Sequence, residues 1–180
     1  MSTSDRAVPY HHGDLRRALL DAATRLLVGD GVDAVTLREV ARAAGVSHNA
    51  PYRHFPSREA LLAGLATDGF VRLRRRLDAV AETETGRVNA LGRAYLTFAV
   101  EERPHFLLMF GGTVGKTAFP DLEDAAAAAF AILEGAVDAE GGGMPGAALR
   151  AWALVHGLAH LVAERQIAPE TAFAALGEPA

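Results

Sequence analysis

Leu15, Ala18, Leu19, Ala22, Ala23, Leu26 and Leu27 recur at i, i+3 and i+4 without a break. This is the apolar stripe of a helix that buries one face. Asp14 stands before the stripe as a candidate cap, and Gly29-Asp30-Gly31 ends it. The same period returns in Leu37, Val40, Ala41 and Ala44, after which Gly45 offers the left-handed residue that stops a helix. Thr36 caps this second helix, and Glu39 completes a T-x-x-E box by reaching back to the cap's own N–H. Ser47 caps a third helix, whose first turn tolerates Pro51 because N–H groups there lack intrahelical partners. Val46 fills the apolar space between the two helices, Phe55 closes the segment as a core residue, and Pro56 breaks it.

From Ser57, with Glu59 near the positive end, a long helix is predicted to run to about Val80. It places Leu62, Leu65, Phe70, Leu73, Leu77 and Val80 inward, and Arg72, Arg74, Arg75 and Arg76 outward. Thr83 to Gly86 is a polar connection. Further helices are predicted at 88–102, from Pro104 to Phe110, at 120–139 and at 145–166, and Pro169 opens a last short one. Gly111 to Phe119 reads as a lid-like loop, Gly141-Gly142-Gly143 as a turn, and Gly177 to Ala180 as a fraying tail. No period-2 run is long enough for a strand, so the predicted class is all-α. Its parts are a three-helix helix-turn-helix module with an N-terminal arm over residues 1–60 and a helical ligand-binding and dimerisation domain over 61–180.

Composition narrows the classes. A chain of 180 residues, half of them hydrophobic, can bury a real core. No apolar run approaches the ~18 residues of a membrane span, and Met1 to Pro9 lacks a signal peptide's apolar stretch; a soluble, cytoplasmic protein is expected. With no cysteine, disulfides, thiolate catalysis and cysteine–zinc sites are excluded. Arginine outnumbers lysine 17 to 1. The net charge of −4 is uneven: residues 1–60 hold eight arginines against seven acids and four of the seven histidines, while residues 61–180 hold ten bases against fifteen acids. A near-neutral head on an acidic body fits a DNA-reading module on a regulatory domain; ordinary scatter of surface charge accounts for it equally well.

Two short helices joined at Gly45, the second bearing polar and aromatic tips, have the form that lays a helix in the major groove. The phrases Thr36-Leu37-Arg38-Glu39-Val40-Ala41, Ala44-Gly45-Val46-Ser47, Tyr52-Arg53-His54-Phe55-Pro56 and Ser57-Arg58-Glu59-Ala60-Leu61-Leu62 resemble the helix-turn-helix of the TetR family of bacterial transcriptional repressors. The likeness spans roughly residues 12 to 65. A weaker one, Trp152 to His156-Gly157, is similar to the C-terminal domain of a Trp…His-Gly (WHG-type) subgroup, and His48-Asn49-Ala50-Pro51-Tyr52 is similar to that subgroup's recognition helix.

The resemblance assigns roles, and geometry checks them. His48, Asn49 and Ala50 are expected at base edges: Asn49 on adenine N6 and N7, His48 on guanine, Ala50 against a thymine methyl. Tyr52, Arg53 and His54 follow, with the Tyr and His positions implied to meet phosphate. Thr36 and Ser47 begin helices whose free N–H groups suit phosphate oxygens. Arg58 matches a basic phosphate contact, and Arg6 and Arg16 add backbone or minor-groove contacts. Tyr52 also reads as partly packing, Arg53 as a solvated charge, and His11-His12 as a flexible arm rather than a ligand site. The resemblance further implies double-stranded operator DNA as partner, a small-molecule effector, and a homodimer through the helices at 145–166 and after Pro169. Two recognition helices would then read half-sites about one DNA turn, ~34–36 Å, apart. Ala147, Ala148, Ala151, Gly157 and Ala159 thin the first of those helices for close approach.

Tyr95, Phe98, Phe106, Met109, Phe110, Phe130 and Trp152 dominate the second part together with Leu107, Ile132, Leu133 and Leu154. They read either as a plain helical core or as the wall of an apolar cavity in which Tyr95, Trp152 and His156 supply polar handles. No charged residue recurs at inward positions of the helices at 88–102 and 145–166, which favours a neutral or weakly polar lipophilic or aromatic ligand. His156 and His160 are spaced i, i+4, yet the glutamate of H-E-x-x-H is missing, so packing or an interface is preferred to metal. Gly111 to Thr117 has three residues, not four, before Gly115 and no preceding strand, which rejects a phosphate loop. Asp121, Glu123 and Asp124 sit at a helix start, where acid is expected for dipole reasons. No cofactor and no catalytic set is predicted. The leading expectation is a homodimeric repressor released from its operator by a small lipophilic or aromatic ligand. The rival is a ligand-binding bundle, or an enzyme built on one, whose N-terminal helices only dimerise.

Overall fold

Residues 12–81, 86–141 and 144–177 are described by the structure, a computed structural model, and every regular element among them is helical. The expected all-α class holds. The chain divides into two compact units, with the boundary after Leu61. Gly142, Gly143, the connection at 82–85, Arg6, His11 and the last three residues lie outside the described part.

The first unit contains α1 (His12–Asp30), a 3-10 turn (Val32–Ala34), α2 (Leu37–Ala43), a second 3-10 turn (Pro51–Arg53) and the start of α3 (Arg58–Asp78). Asp14, expected to stand before the first helix, falls within α1. Leu19, Ala22, Ala23 and Leu27 of its stripe are buried, as are Leu37, Val40 and Ala41 of α2. Thr36 caps α2: its Oγ1 accepts the Glu39 N–H at 3.2 Å. The return half of the expected box is absent. The Glu39 carboxylate instead takes Arg42 Nε at 2.8 Å, and the Thr36 N–H goes to the Ala34 carbonyl. A charged partner one turn along outbids a backbone N–H that the preceding 3-10 turn has already satisfied.

Gly45 has φ +69°, its N–H reaches the Arg42 carbonyl, and the Val46 N–H reaches back to Ala41. These are the two bonds of a Schellman stop, and the left-handed backbone explains the glycine. The third helix departs from expectation. From Ser47 to His54 the ladder is mainly i to i+3 (Ala50 to Ser47, Arg53 to Ala50, His54 to Pro51), and only the Pro51–Arg53 turn is regular. Pro51 has no N–H to donate to the Ser47 carbonyl, so the i to i+4 ladder is missing at that step and the tighter 3-10 path takes over.

The second unit holds the body of α3, then α4 (Arg87–Glu101), α5 (Arg103–Phe110), a 3-10 turn (Lys116–Ala118), α6 (Pro120–Ala139), α7 (Ala147–Ala163) and α8 (Pro169–Ala175). The pair α4 and α7 is the spine, and α5, α6 and α8 pack against one or both. Leu96, Phe98, Phe106 and Leu122 are fully buried here, each worth about 1.5–3 kcal/mol over exposure. Arg72, expected on the outer face of α3, is half-buried between Asp68 at 3.2 Å and Glu102 at 2.8 Å. Arg76 pairs with Glu101, and Arg74 with Asp78 at 3.4 Å. Ala159 is fully buried within this unit, whereas Gly157 is exposed and a side chain there would meet nothing. No helix of the described residues is long and apolar enough to cross a membrane.

Candidate nucleic-acid interface and ligand cavity

The turn at Gly45 and the 3-10 path after it leave Ser47, His48, Asn49, Tyr52 and Arg53 exposed, while Pro51 and Phe55 are buried beneath them. Tyr52 keeps 55% of its surface in water, too much for a packing residue. Asn49 precedes it by three, the spacing that stacks side chains one above the other in a 3-10 path. Ala50 and His54 are half-buried. Thr36, also half-buried, spends an oxygen lone pair on its cap and keeps its hydroxyl proton to donate. Arg16 lies on α1 with its guanidinium over the Phe55 ring, 5.4 Å from the centroid.

Arg58 is placed differently from a freely extended cation. Its Nε donates to the Val35 carbonyl at 2.8 Å and its Nη2 to Val32 at 2.7 Å. Ser57 caps the same helix by accepting the Ala60 N–H at 3.1 Å. The first turn of α3 is thereby fastened to the 3-10 turn that leads into α2.

Within the second unit lies a cavity of about 570 Å³, the size of small-molecule sites. Tyr95, Phe110, Phe130 and Trp152 line it, as the sequence suggested. Phe98, Phe106 and Met109 are buried and do not line it. His156 stands behind the wall: its ring stacks on Trp152 at 4.7 Å, and its Nδ1 is 2.7 Å from the Tyr95 hydroxyl. Phe70, Leu73 and Leu77 of α3 also line the cavity, with Asn89, Lys116 and Glu123, none of which the sequence had marked as ligand residues. The stripe on α3 was legible, but it read as core. Lys116 carried one signal: it is the only lysine in the chain.

Burial sets the protonation states. Desolvation, helped by His160 and Lys116 nearby, lowers His156 to about 4, so the ring is neutral at neutral pH. Burial also pushes the Tyr95 phenol up, partly offset by a hydrogen bond with the Trp152 side chain. The Tyr95 hydroxyl and His156 Nδ1 share a hydrogen bond at 2.7 Å, its direction set by the His156 tautomer. His105, 1% exposed, is lowered to about 4 by burial and then by Arg72. The Glu102 carboxylate 3.2 Å from its Nδ1 does not reverse this, because Arg72 occupies the same oxygen at 2.8 Å. His156 and His160 touch ring to ring at 4.6 Å, and no cluster of three metal-ligating side chains occurs among the described residues.

The sequence profile of bacterial regulatory proteins of the tetR family matches residues 19–65, and that of the tetracyclin repressor-like C-terminal domain matches residues 88–177. The HTH-type transcriptional regulator Rv1816 of Mycobacterium tuberculosis is 33% identical over 109 residues, 57% of this chain and 47% of its own length. The HTH-type transcriptional regulator BetI of Rhizobium meliloti is 43% identical over 83 residues, 43% of this chain and 40% of BetI. The match thus spans about half, or less, of the length of these curated relatives. A solved structure of a protein of unknown function from Rhodococcus sp. RHA1 is similar throughout, with TM-score 0.78 and 38% identity over 94% of this chain and 95% of that one. With both of its parts matched, the chain belongs to the TetR family of bacterial regulatory proteins.

Proposed function

We propose that the chain is a homodimeric transcriptional repressor that leaves its operator when a small lipophilic or aromatic molecule fills the cavity. The observation that carries the reading is the exposed pair Asn49 and Tyr52, held out by a Schellman turn and a buried Pro51 in the part that matches the family's DNA-binding profile. In this reading residues 1–60 bind DNA and residues 61–180 bind ligand and dimerise, and operator DNA places its work in the cytoplasm. Asn49 and His48 read base edges, and Ala50 meets a methyl. Tyr52, Arg53, His54, Thr36 and Ser47 hold phosphate, joined by Arg58 through Nη1, which takes part in neither of its carbonyl bonds.

The effector site is built from Tyr95, Phe110, Phe130 and Trp152, with Phe106 and His156 in ring contact with them from behind, while Phe98 and Met109 pack in the core. The stacked Trp152 and His156, followed by Gly157, support membership of the Trp…His-Gly subgroup. Exposed Leu154 and Leu161 on α7, with open space at Gly157 in the same stripe, support that helix as the dimer face. The switch runs along α3, a single helix that begins at the fastened Arg58 and lines the cavity with Phe70, Leu73 and Leu77. A ligand pressing on those three shifts the helix and changes the spacing of the two reading segments. A coupling of about 1–3 kcal/mol, a 5- to 150-fold change in affinity, is enough for such a switch.

Fluorescence anisotropy with DNA from the chain's own promoter tests the reading. The wild type is expected to bind with a steep inverse dependence on salt. Asn49→Ala and Tyr52→Ala are expected to lose at least about tenfold in affinity with unchanged helical content. Salt-independent binding, or full affinity in both variants, favours the rival bundle in which the N-terminal helices only dimerise.

A further inference from the structure

The sequence favoured a neutral ligand because α4 and α7 contribute no inward charge. The structure brings a charge from elsewhere: the 3-10 turn after Gly115 puts Lys116 on the cavity wall. Its ammonium lies over two rings of that wall, 5.1 Å from the centroid of Phe70 and 4.7 Å from that of Phe110. Among the described residues no carboxylate is within ion-pairing distance of it. Glu123, the acid that shares the wall, is exposed and makes no pair with it. Ring faces stabilise a cation only in part, and a half-buried ammonium without a counter-ion is costly.

Taking the cavity to be the effector site, we propose that it selects a lipophilic monocarboxylate, its carboxylate on Lys116 Nζ and its apolar body among Leu73, Leu77, Phe130, Leu133 and Trp152. One cation calls for one negative charge, and walls of leucine, alanine and aromatic rings call for a chain or ring behind it. Burial already pulls Lys116 below its usual range, so a bound carboxylate favours the charged form that burial disfavours. Asn89 adds a second polar point: its Nδ2 donates to the Leu176 carbonyl at 2.6 Å, while its buried Oδ1 has no partner and can accept from a hydroxyl on the ligand.

Trp152, the chain's only tryptophan, stands in the same wall and reports binding directly, without DNA. Decanoate, decanamide and decylamine are titrated against its emission at pH 8. Decanoate is expected to bind at least about tenfold more tightly than the other two, a difference of about 1.4 kcal/mol. In Lys116→Met that preference is expected to vanish, and in Lys116→Arg to persist. Equal affinity for decanoate and decanamide, preference for the amine, or a carboxylate preference that survives in Lys116→Met overturns the charge assignment and leaves the cavity reading standing. Failure of all three probes to move the emission overturns the cavity reading together with this one.

Discussion

Replacing Arg58 by alanine removes two charge-assisted hydrogen bonds, at 2.8 Å to the Val35 carbonyl and 2.7 Å to the Val32 carbonyl. Such bonds contribute about 1.5–3 kcal/mol each when shielded from water. The Arg58 side chain is 42% exposed, so a discounted figure of about 1 kcal/mol per bond, about 2 kcal/mol in all, is expected. Val32 keeps its bond from the Val35 N–H, whereas the Val35 carbonyl, on a fully buried residue, loses its arginine donor. In a chain of this size the loss lowers the melting temperature by about 4–8 °C. Thermal unfolding followed by circular dichroism measures it, and amide exchange of residues 37–43 shows whether α2 loosens first. Lysine cannot bridge two carbonyls with a planar fork, so Arg58→Lys is expected to melt nearly as early as the alanine variant while keeping the positive charge. Wild-type melting in Arg58→Ala, or full rescue by lysine, refutes the fastening role. A phosphate contact through Nη1 has a separate signature: the slope of log affinity against log salt falls by about 0.9 in the alanine variant and stays in the lysine one.

Acid is expected to weaken the fold through its histidines. His105 and His156 titrate near 4 when folded and about 6.5 when unfolded, so below that value the unfolded chain takes protons the folded one refuses. Stability therefore falls as pH drops from 6.5 towards 4. For His105 alone the loss is about 2–3 kcal/mol by pH 4.5; urea unfolding of the wild type and His105→Leu across that range checks it, since the leucine variant is expected to lose the steepest part of the dependence. Leu161→Glu puts a charge on the exposed apolar stripe of α7 and is expected to raise the dimer dissociation constant at least about 100-fold with the protomer still folded. Analytical ultracentrifugation decides it, and an unchanged dimer moves the interface away from α7.

The cap at Thr36, the stop at Gly45 and the proline-led starts of α6 and α8 were all readable, because each depends on a backbone group within four residues of it. The same locality makes the exposed tips at Asn49 and Tyr52 predictable: buried Pro51 and Phe55 leave them no other side to face. Competition between local partners was not readable. Glu39 had both the Thr36 N–H and Arg42 within reach, and the turn at Val32–Ala34 decided the outcome by satisfying the N–H first. Nor was the 3-10 path through 47–54, although the missing donor at Pro51 was visible.

For the cavity, the sequence determined that large apolar groups would line one face of each helix, since a helical period with few charges must bury that face. Which of them close-pack and which border a void depends on how the helices cross, a property of the assembled layers. Phe106 and Phe110 are four residues apart on α5, yet the first is fully buried away from the cavity and the second is part of its wall. Lys116 illustrates the same division. The sequence showed a lone lysine in a glycine-rich loop, and only the folded chain set that ammonium over two aromatic faces, because loop placement follows from contacts far away along the chain.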